Sequence, residues 1–169
     1  PELCPMWTGI EVRNVEVGAS PEYIQRRLTS LGIRPISNIV DITNYVMLEL
    51  GTPVHAFDLD KINGNTFHMR SANKNDVMKT LDGKEHKLNE GAIILEDSKE
   101  IFDLCGLMGG ESSMVSDKTR NLLVHVPVYD PVLIRRTAIA LNHRTDASAI
   151  YEKDVPVSMA IYGLRRTVE

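Results

Sequence analysis

Two histidines are the side chains of this sequence whose type and position could most readily support chemistry. His55 lies in a loop stiffened by Pro53, and His125 lies in the apolar run 122–126. An imidazole can bind a substrate, orient water or transfer a proton near neutral pH. Each histidine also has a structural alternative, because a histidine beside Phe57 or inside an apolar strand often serves only as a hydrogen-bonded core residue. Residue type alone leaves both interpretations open.

Thr145 and Arg34 lie next to predicted helices. Thr145 is a predicted N-cap, and the free N–H groups of the helix that follows it could hold an anionic oxygen. Arg34 precedes another helix, where it could bind an anion or cap carbonyl groups on the surface. Asp58 and Asp60 could suggest a metal, but two acidic residues in a turn more often accept hydrogen bonds from backbone amides. We predict no metal site.

The composition excludes several broad classes of protein. The net charge is −4, so the chain lacks the basic surplus of a domain that binds nucleic acid by itself. No apolar run reaches the length of a membrane span. Cys4 and Cys105 belong to no CxxC or Cys/His cluster, which argues against zinc, and without a secretory signal they fit a reducing cytosol better than a disulfide. The GxSxG, Walker, HExxH and dinucleotide-binding motifs are absent.

The elements that must position these residues begin with one strand and two helices. Alternating apolar residues predict strand structure over residues 6–17. Ser20 and Pro21 predict a helix with Ser20 as its N-cap and Pro21 at its first position. A second helix is predicted over residues 38–50, where Asp41 and Asn44 are three positions apart and share a face other than the apolar one.

The remainder of the chain is predicted to be β-rich and then helical. Residues 66–128 contain several short strand candidates, with a hairpin signal at residues 81–84. Gly109-Gly110 predicts either unusual backbone angles or a close approach of two chain segments. Helices return at Asp130-Pro131. This order of elements indicates an α+β fold, which we expect to form one domain over residues 1–169.

Six blocks of the sequence together resemble the B3/B4 domain of the bacterial phenylalanyl-tRNA synthetase β subunit. They appear in the family's order at residues 4–5, 32–58, 80–88, 106–124, 130–138 and 144–153. The resemblance implies a three-layer β/β/α domain with mixed or antiparallel sheets and two merged subdomains. It also implies hydrolysis of tyrosine wrongly esterified to the phenylalanine tRNA. A synthetic pocket for phenylalanine cannot strongly reject an added hydroxyl, so a second site that binds this hydroxyl would be needed.

Carried over by position, the resemblance implies an editing pocket in this chain. Its catalytic positions are His55 and Thr145, which would orient substrate or water while backbone amides stabilise the oxyanion. No covalent nucleophile is expected. The substrate-binding positions that it implies are Arg34, Asn44, Pro53, Gly109, His125 and Ala147.

Position 125 departs from the usual pattern of this family. The family has a glutamate there as acceptor for the tyrosine hydroxyl, whereas this chain has His125. A neutral imidazole accepts a hydrogen bond but a protonated one does not. If His125 is the acceptor, tyrosine selection is therefore expected to weaken as the pH falls toward about 6. Ile150 and residues 153–156 also differ from the family's usual residues. A second interpretation therefore stands, in which the domain orients tRNA and neighbouring domains without editing.

The resemblance also implies a molecular setting. The partners would be the phenylalanine tRNA, the synthetase α subunit and the other β-subunit domains, all in the cytoplasm and with no membrane. The complete synthetase would use ATP and magnesium, and no cofactor is expected in this domain. The chain starts at Pro1 and stops within the helical pattern 158–168, so we expect it to be part of a longer β subunit.

Overall fold

The computed structural model describes residues 2–169, with the exception of the side chain of Asn65. Its strands are β1 Met6–Arg13, β2 His55–Asp58, β3 His68–Ser71, β4 Val77–Lys79, β5 Glu85–Lys87, β6 Ile93–Glu96, β7 Ile101–Leu104, β8 Met108–Gly109 and β9 Asn121–Val128. Its helices are α1 Glu22–Ser30, α2 Asn38–Leu50, α3 Pro131–Ala140, α4 Asp146–Tyr151 and α5 Met159–Val168. None of these helices has the length and apolar character needed to cross a membrane.

The strands of residues 2–169 form three antiparallel sheets. Strand β9 is central in the first sheet, between β1 and β2. Its register places His125 opposite both Gly9 of β1 and His55 of β2. The second sheet has the order β3-β6-β7-β8, and the third is the hairpin β4-β5, whose turn lies where the sequence predicted it. The predicted α+β class is confirmed.

The first sheet lies between helices and the second sheet. On one face, Val126 of β9 packs against Gly163 of α5. On the other face, Phe57 of β2 meets Phe102 of β7, with ring centroids 5.2 Å apart. Residues that alternate along a strand point to opposite faces, so His125, the neighbour of Val126, points into the layer between the two sheets. This is the helix, sheet and sheet order that the resemblance implies.

Helix α2 has the bounds predicted from the sequence. The side chain of Ser37 accepts a hydrogen bond from the Val40 N–H at its start, and Gly51 ends it with a left-handed backbone, φ +65°. Val46 and Met47 are buried in the core. The helix is therefore anchored on its apolar side and presents Asn44 on the side of a cleft described below.

Two predictions near the start of the chain were wrong. Strand β1 ends at Arg13 rather than at residue 17, because Asn14 adopts a φ of +57° and breaks the extended backbone. Ser20 does not cap helix α1, which has Pro21 at its N-cap position and no side-chain cap. The buried Ser20 hydroxyl instead donates a 2.5 Å hydrogen bond to the buried carboxylate of Asp41. A buried carboxylate needs such donors, and this long-range demand outweighs the local capping preference.

Candidate functional site

A cleft of about 320 Å³ lies where helix α2, strand β2, the segment around β8 and the start of α4 meet. Its volume is in the range of small-molecule binding sites. It is lined by six of the residues that the sequence analysis singled out: Asn44, Pro53, His55, Gly109, Thr145 and Ala147. The fold therefore brings together residues that are far apart in the sequence, from Asn44 to Ala147.

The other two candidate residues lie outside this cleft. His125 lines a smaller inner pocket of about 70 Å³, which shares Pro53, His55 and Gly109 with the lining of the cleft. Arg34 is exposed in the loop between α1 and α2 and lies outside the described lining of both cavities. Its role in substrate binding stays a prediction.

His55 is held at the junction of the cleft and the inner pocket. It is the first residue of β2 and not a loop residue as predicted, because it pairs with His125 across the sheet. Its ring contacts Phe57, at a centroid distance of 4.6 Å. It also lies against Gly109, where a Cβ atom would be 2.6 Å from Nε2. Gly109 does not have a positive φ. Of the two predicted reasons for this glycine, unusual backbone angles or close approach of two segments, the structure therefore supports close approach.

Both histidines are neutral at pH 7. Desolvation lowers the pKa of His55 to about 4. It lowers the pKa of His125 well below its ordinary value, and the neighbouring His55 lowers it further. His125 is only 1% exposed, and burial disfavours the charged imidazolium. This lowered pKa of His125 argues against a loss of tyrosine selection near pH 6, and both rings are available as neutral donors or acceptors.

The inner pocket also has polar groups that sequence reasoning missed. Asp103 of β7 lines it and is 4% exposed, and burial raises the pKa of its carboxyl to about 7. Tyr129 lines it as well. Within residues 2–169, the buried Nδ1 of His125 has no hydrogen-bond partner, and the buried hydroxyl of Tyr129 lies beside the Cys105 thiol, a weak partner, without a well-formed hydrogen bond. Such atoms are costly when unpaired, so they are natural contacts for a polar ligand.

A sequence signal for Asp103 did exist. It is the charged residue within the otherwise apolar or glycine positions of residues 101–108, a run that was interpreted only as a strand. A carboxylate in such a run is either paired or functional. Cys105 in the same run is buried, as predicted.

Thr145 caps helix α4, as predicted. Its side chain accepts a hydrogen bond from the Ser148 N–H at 3.2 Å, and the Ser148 hydroxyl oxygen accepts one from the Thr145 N–H at 2.9 Å. The Thr145 hydroxyl also donates to the carbonyl oxygen of Leu107 at 2.9 Å. Because this proton is already engaged, the geometry favours a positioning role, in which Thr145 holds α4 against the segment that carries Gly109.

Comparison with known proteins identifies the family to which this fold and cleft belong. The profile of the B3/4 domain matches residues 3–169. The chain belongs to the B3/4 domain family. The B3/4 resemblance inferred from the sequence blocks is thereby confirmed.

Curated relatives place this B3/4 domain within longer proteins. The phenylalanine–tRNA ligase beta subunit of Carboxydothermus hydrogenoformans is 41% identical over 168 residues, which cover 99% of this chain and 21% of that protein. The subunit of the same name from Gloeobacter violaceus is 40% identical over 169 residues, or 100% of this chain and 22% of that protein. The chain thus spans about a fifth of the length of these relatives.

A solved structure supports the B3/4 fold independently. An N-terminal fragment of the phenylalanyl-tRNA synthetase β-subunit from Pyrococcus horikoshii superposes with a TM-score of 0.54 at 16% identity. The match covers 83% of this chain and 45% of that one. At this identity the likeness concerns the fold alone.

Proposed function

We propose that this B3/4 domain hydrolyses tyrosine wrongly esterified to the phenylalanine tRNA, as the editing site of a phenylalanine–tRNA ligase. The complete ligase would charge the tRNA with phenylalanine in the cytoplasm, using ATP and magnesium. Its α subunit and the other β-subunit domains would be the partners of this domain, which would hold no cofactor. Sequence identity of about 40% to proteins named phenylalanine–tRNA ligase beta subunits supports this setting.

The observation that carries the proposal is the set of unpaired polar groups in the inner pocket. The pocket volume of about 70 Å³ exceeds the roughly 10–15 Å³ that a cavity needs to hold one water molecule, so the pocket has room for a small polar group such as a phenol hydroxyl. A bound tyrosine would offer its hydroxyl to Asp103, His125 or Tyr129. A bound phenylalanine would leave Nδ1 of His125 and the Tyr129 hydroxyl without a partner, at about 1–3 kcal/mol for each group. This difference would select the error and spare the correct product.

The reacting ester would then lie in the cleft beside His55. In the hydrolysis, the oxygen of a water adds to the ester carbonyl carbon and the bond to the ribose oxygen breaks. One proton of the water passes to the ribose oxygen, so the products are free tyrosine and the tRNA with its ribose hydroxyl restored. A neutral His55 can accept a hydrogen bond from this water and direct it at the carbonyl. A pKa of about 4 makes His55 a weak base at pH 7, so its contribution would come mainly from positioning.

Release of tyrosine from tyrosylated phenylalanine tRNA by the complete ligase tests this proposal. We expect wild-type release above the spontaneous rate, and release that is slower by about ten- to a hundredfold in His55→Ala. The matched control is His68→Ala, which removes an exposed histidine on β3 and should leave the rate unchanged. Phenylalanine charging measured on the same samples reports correct assembly. Absence of release above background would reject editing and favour the tRNA-orienting role.

A further inference from the structure

Three side chains outside the cleft form a cluster with the chemistry of metal ligands. Asp82 lies in the turn between β4 and β5, His86 lies on β5, and His143 lies in the loop before α4. One ligand atom of each lies within 4.8 Å of those of the other two. The two imidazole centroids are 5.1 Å apart. Sequence reasoning missed the cluster because His143 is distant in the chain from the other two residues.

The two imidazoles present unsatisfied nitrogens. The Nε2 atoms of His86 and His143 are buried, and neither has a hydrogen-bond partner within the described residues. Buried polar atoms in native proteins are almost always paired. A cation bound between the rings would engage both nitrogens at once, and neutral imidazole is the form that binds metals.

The carboxylate of Asp82 is oriented by its neighbours. Its Oδ1 accepts hydrogen bonds from the Thr80 hydroxyl at 2.6 Å and from the Lys84 N–H at 3.3 Å. Contacts of this kind fix ligand orientation in metal sites. Its Oδ2 lies 3.2 Å from the Lys84 ammonium, whose side chain is 69% exposed. Surface ion pairs are weak, so this flexible ammonium can leave when a cation takes its place.

We propose that Asp82, His86 and His143 bind one divalent transition-metal ion of the Zn²⁺ class, with water as the fourth ligand. Two imidazoles and one carboxylate are a ligand set that Zn²⁺ accepts in tetrahedral geometry, with bonds of about 2.0–2.2 Å. These bond lengths place the ligand atoms roughly 3.3 Å apart, so small side-chain rotations would close the site. Mg²⁺ and Ca²⁺ prefer oxygen ligands and are disfavoured by the two imidazoles. The proposal departs from the prediction of no metal, which considered only the cysteines and the acidic turn.

The ion would join two segments that border the cleft. Leu81, next to Asp82, and Thr145, two residues after His143, both line the cleft. A metal bridge between the hairpin turn and the loop before α4 would hold these segments at a fixed separation. The site stands on its own ligands and does not depend on the editing proposal.

Titration of the metal-stripped, tag-free chain with Zn²⁺ by calorimetry tests this site, with Co²⁺ as a spectroscopic probe. We expect one ion per chain, a Kd of about 10 μM or tighter, and visible absorption bands of tetrahedral Co²⁺. His86→Ala and His143→Ala should each weaken binding by at least about a hundredfold, and Asp82→Asn by at least about tenfold. His68→Ala, the matched removal of an exposed histidine, should bind like wild type.

Circular dichroism of each variant checks the fold. If His86→Ala fails to fold, His143→Asn serves as a second variant, because His143 lies in a loop. Wild-type binding weaker than about 1 mM would overturn the proposal. Binding that is unchanged in folded His143→Ala or His143→Asn would overturn it as well.

Discussion

Replacement of Asp103 by asparagine should stabilise the domain by an amount that grows as the pH rises from about 4 to about 7. Burial raises the pKa of Asp103 from 3.8 to about 7. Between these values the carboxyl is ionised in the unfolded chain but protonated in the folded domain. The folded state then binds more protons, so its stability falls as the pH rises. Asparagine has nearly the same shape and does not titrate, so the variant avoids this loss.

The magnitude follows from the size of the pKa shift. A shift of about three units at 1.36 kcal/mol per unit amounts to roughly 4 kcal/mol, an upper bound because water in the inner pocket would reduce it. His55 acts in the opposite direction. Its pKa is lowered from 6.5 to about 4, so between these values the unfolded chain binds a proton at this histidine and the folded domain does not. The free energy of unfolding therefore falls as the pH falls through this range. The wild type and Asp103→Asn both contain His55. The difference between their free energies of unfolding at each pH therefore isolates the contribution of Asp103.

Urea denaturation of the chain at half-unit steps from about pH 4 to 8.5 measures the effect. The free energy of unfolding of Asp103→Asn, minus that of wild type, should rise by up to about 1.4 kcal/mol per pH unit and level off above about pH 7. The matched control is Asp117→Asn, which removes one negative charge at an exposed position. A flat difference between Asp103→Asn and wild type would refute the reasoning. A difference that grows toward acid pH would show an ionised, paired carboxylate.

Substitutions at three further positions test the packing around the site. Gly109→Ala should slow tyrosyl-ester hydrolysis by about tenfold or more, because the new Cβ would lie 2.6 Å from Nε2 of His55 and displace that ring. Phenylalanine charging by the same variant should persist. Equal deacylation rates in the variant and the wild type would contradict this expectation. Thr145→Val should lower the free energy of unfolding in urea by about 1–2 kcal/mol, because valine cannot cap the helix. Thr145→Ser keeps a capping hydroxyl and should retain most of the wild-type stability. Equal losses of stability in the two variants would argue against the cap. Gly9→Ala should lower the free energy of unfolding, measured by thermal unfolding, by about 1–3 kcal/mol, because the new Cβ would lie 2.5 Å from the Trp7 ring. An unchanged Tm would disprove that contact.

Features set by neighbouring residues were predictable from the sequence. Helix α2 has its predicted bounds because its apolar stripe and the Gly51 end are local signals. The Thr145 cap, the Asp130 cap followed by Pro131, and the hairpin turn at residues 81–84 are local in the same sense. Each depends on groups within a few positions of one another, so residue type and spacing carry most of the information.

Features set by distant residues were not predictable. The pairing of His55 with His125 depends on the register of β2 against β9, which no local pattern specifies. Their low pKa values follow from that burial. The convergence of Asp103 with His125 in one pocket depends on how two sheets pack. The family resemblance supplied most of the candidate cleft residues, but it did not supply Asp103.

The ratio of hydrolysis rates for tyrosyl and phenylalanyl esters of the phenylalanine tRNA tests the central claim most directly. Both rates are measured with the same complete ligase under single-turnover conditions. One hydrogen bond to the tyrosine hydroxyl, at about 1.4 kcal/mol, predicts a ratio of about ten or more in favour of tyrosine. Asp103→Leu, which removes one of the polar groups that line the inner pocket, should move the ratio toward one. Equal rates for the two esters in the wild-type enzyme would contradict the account.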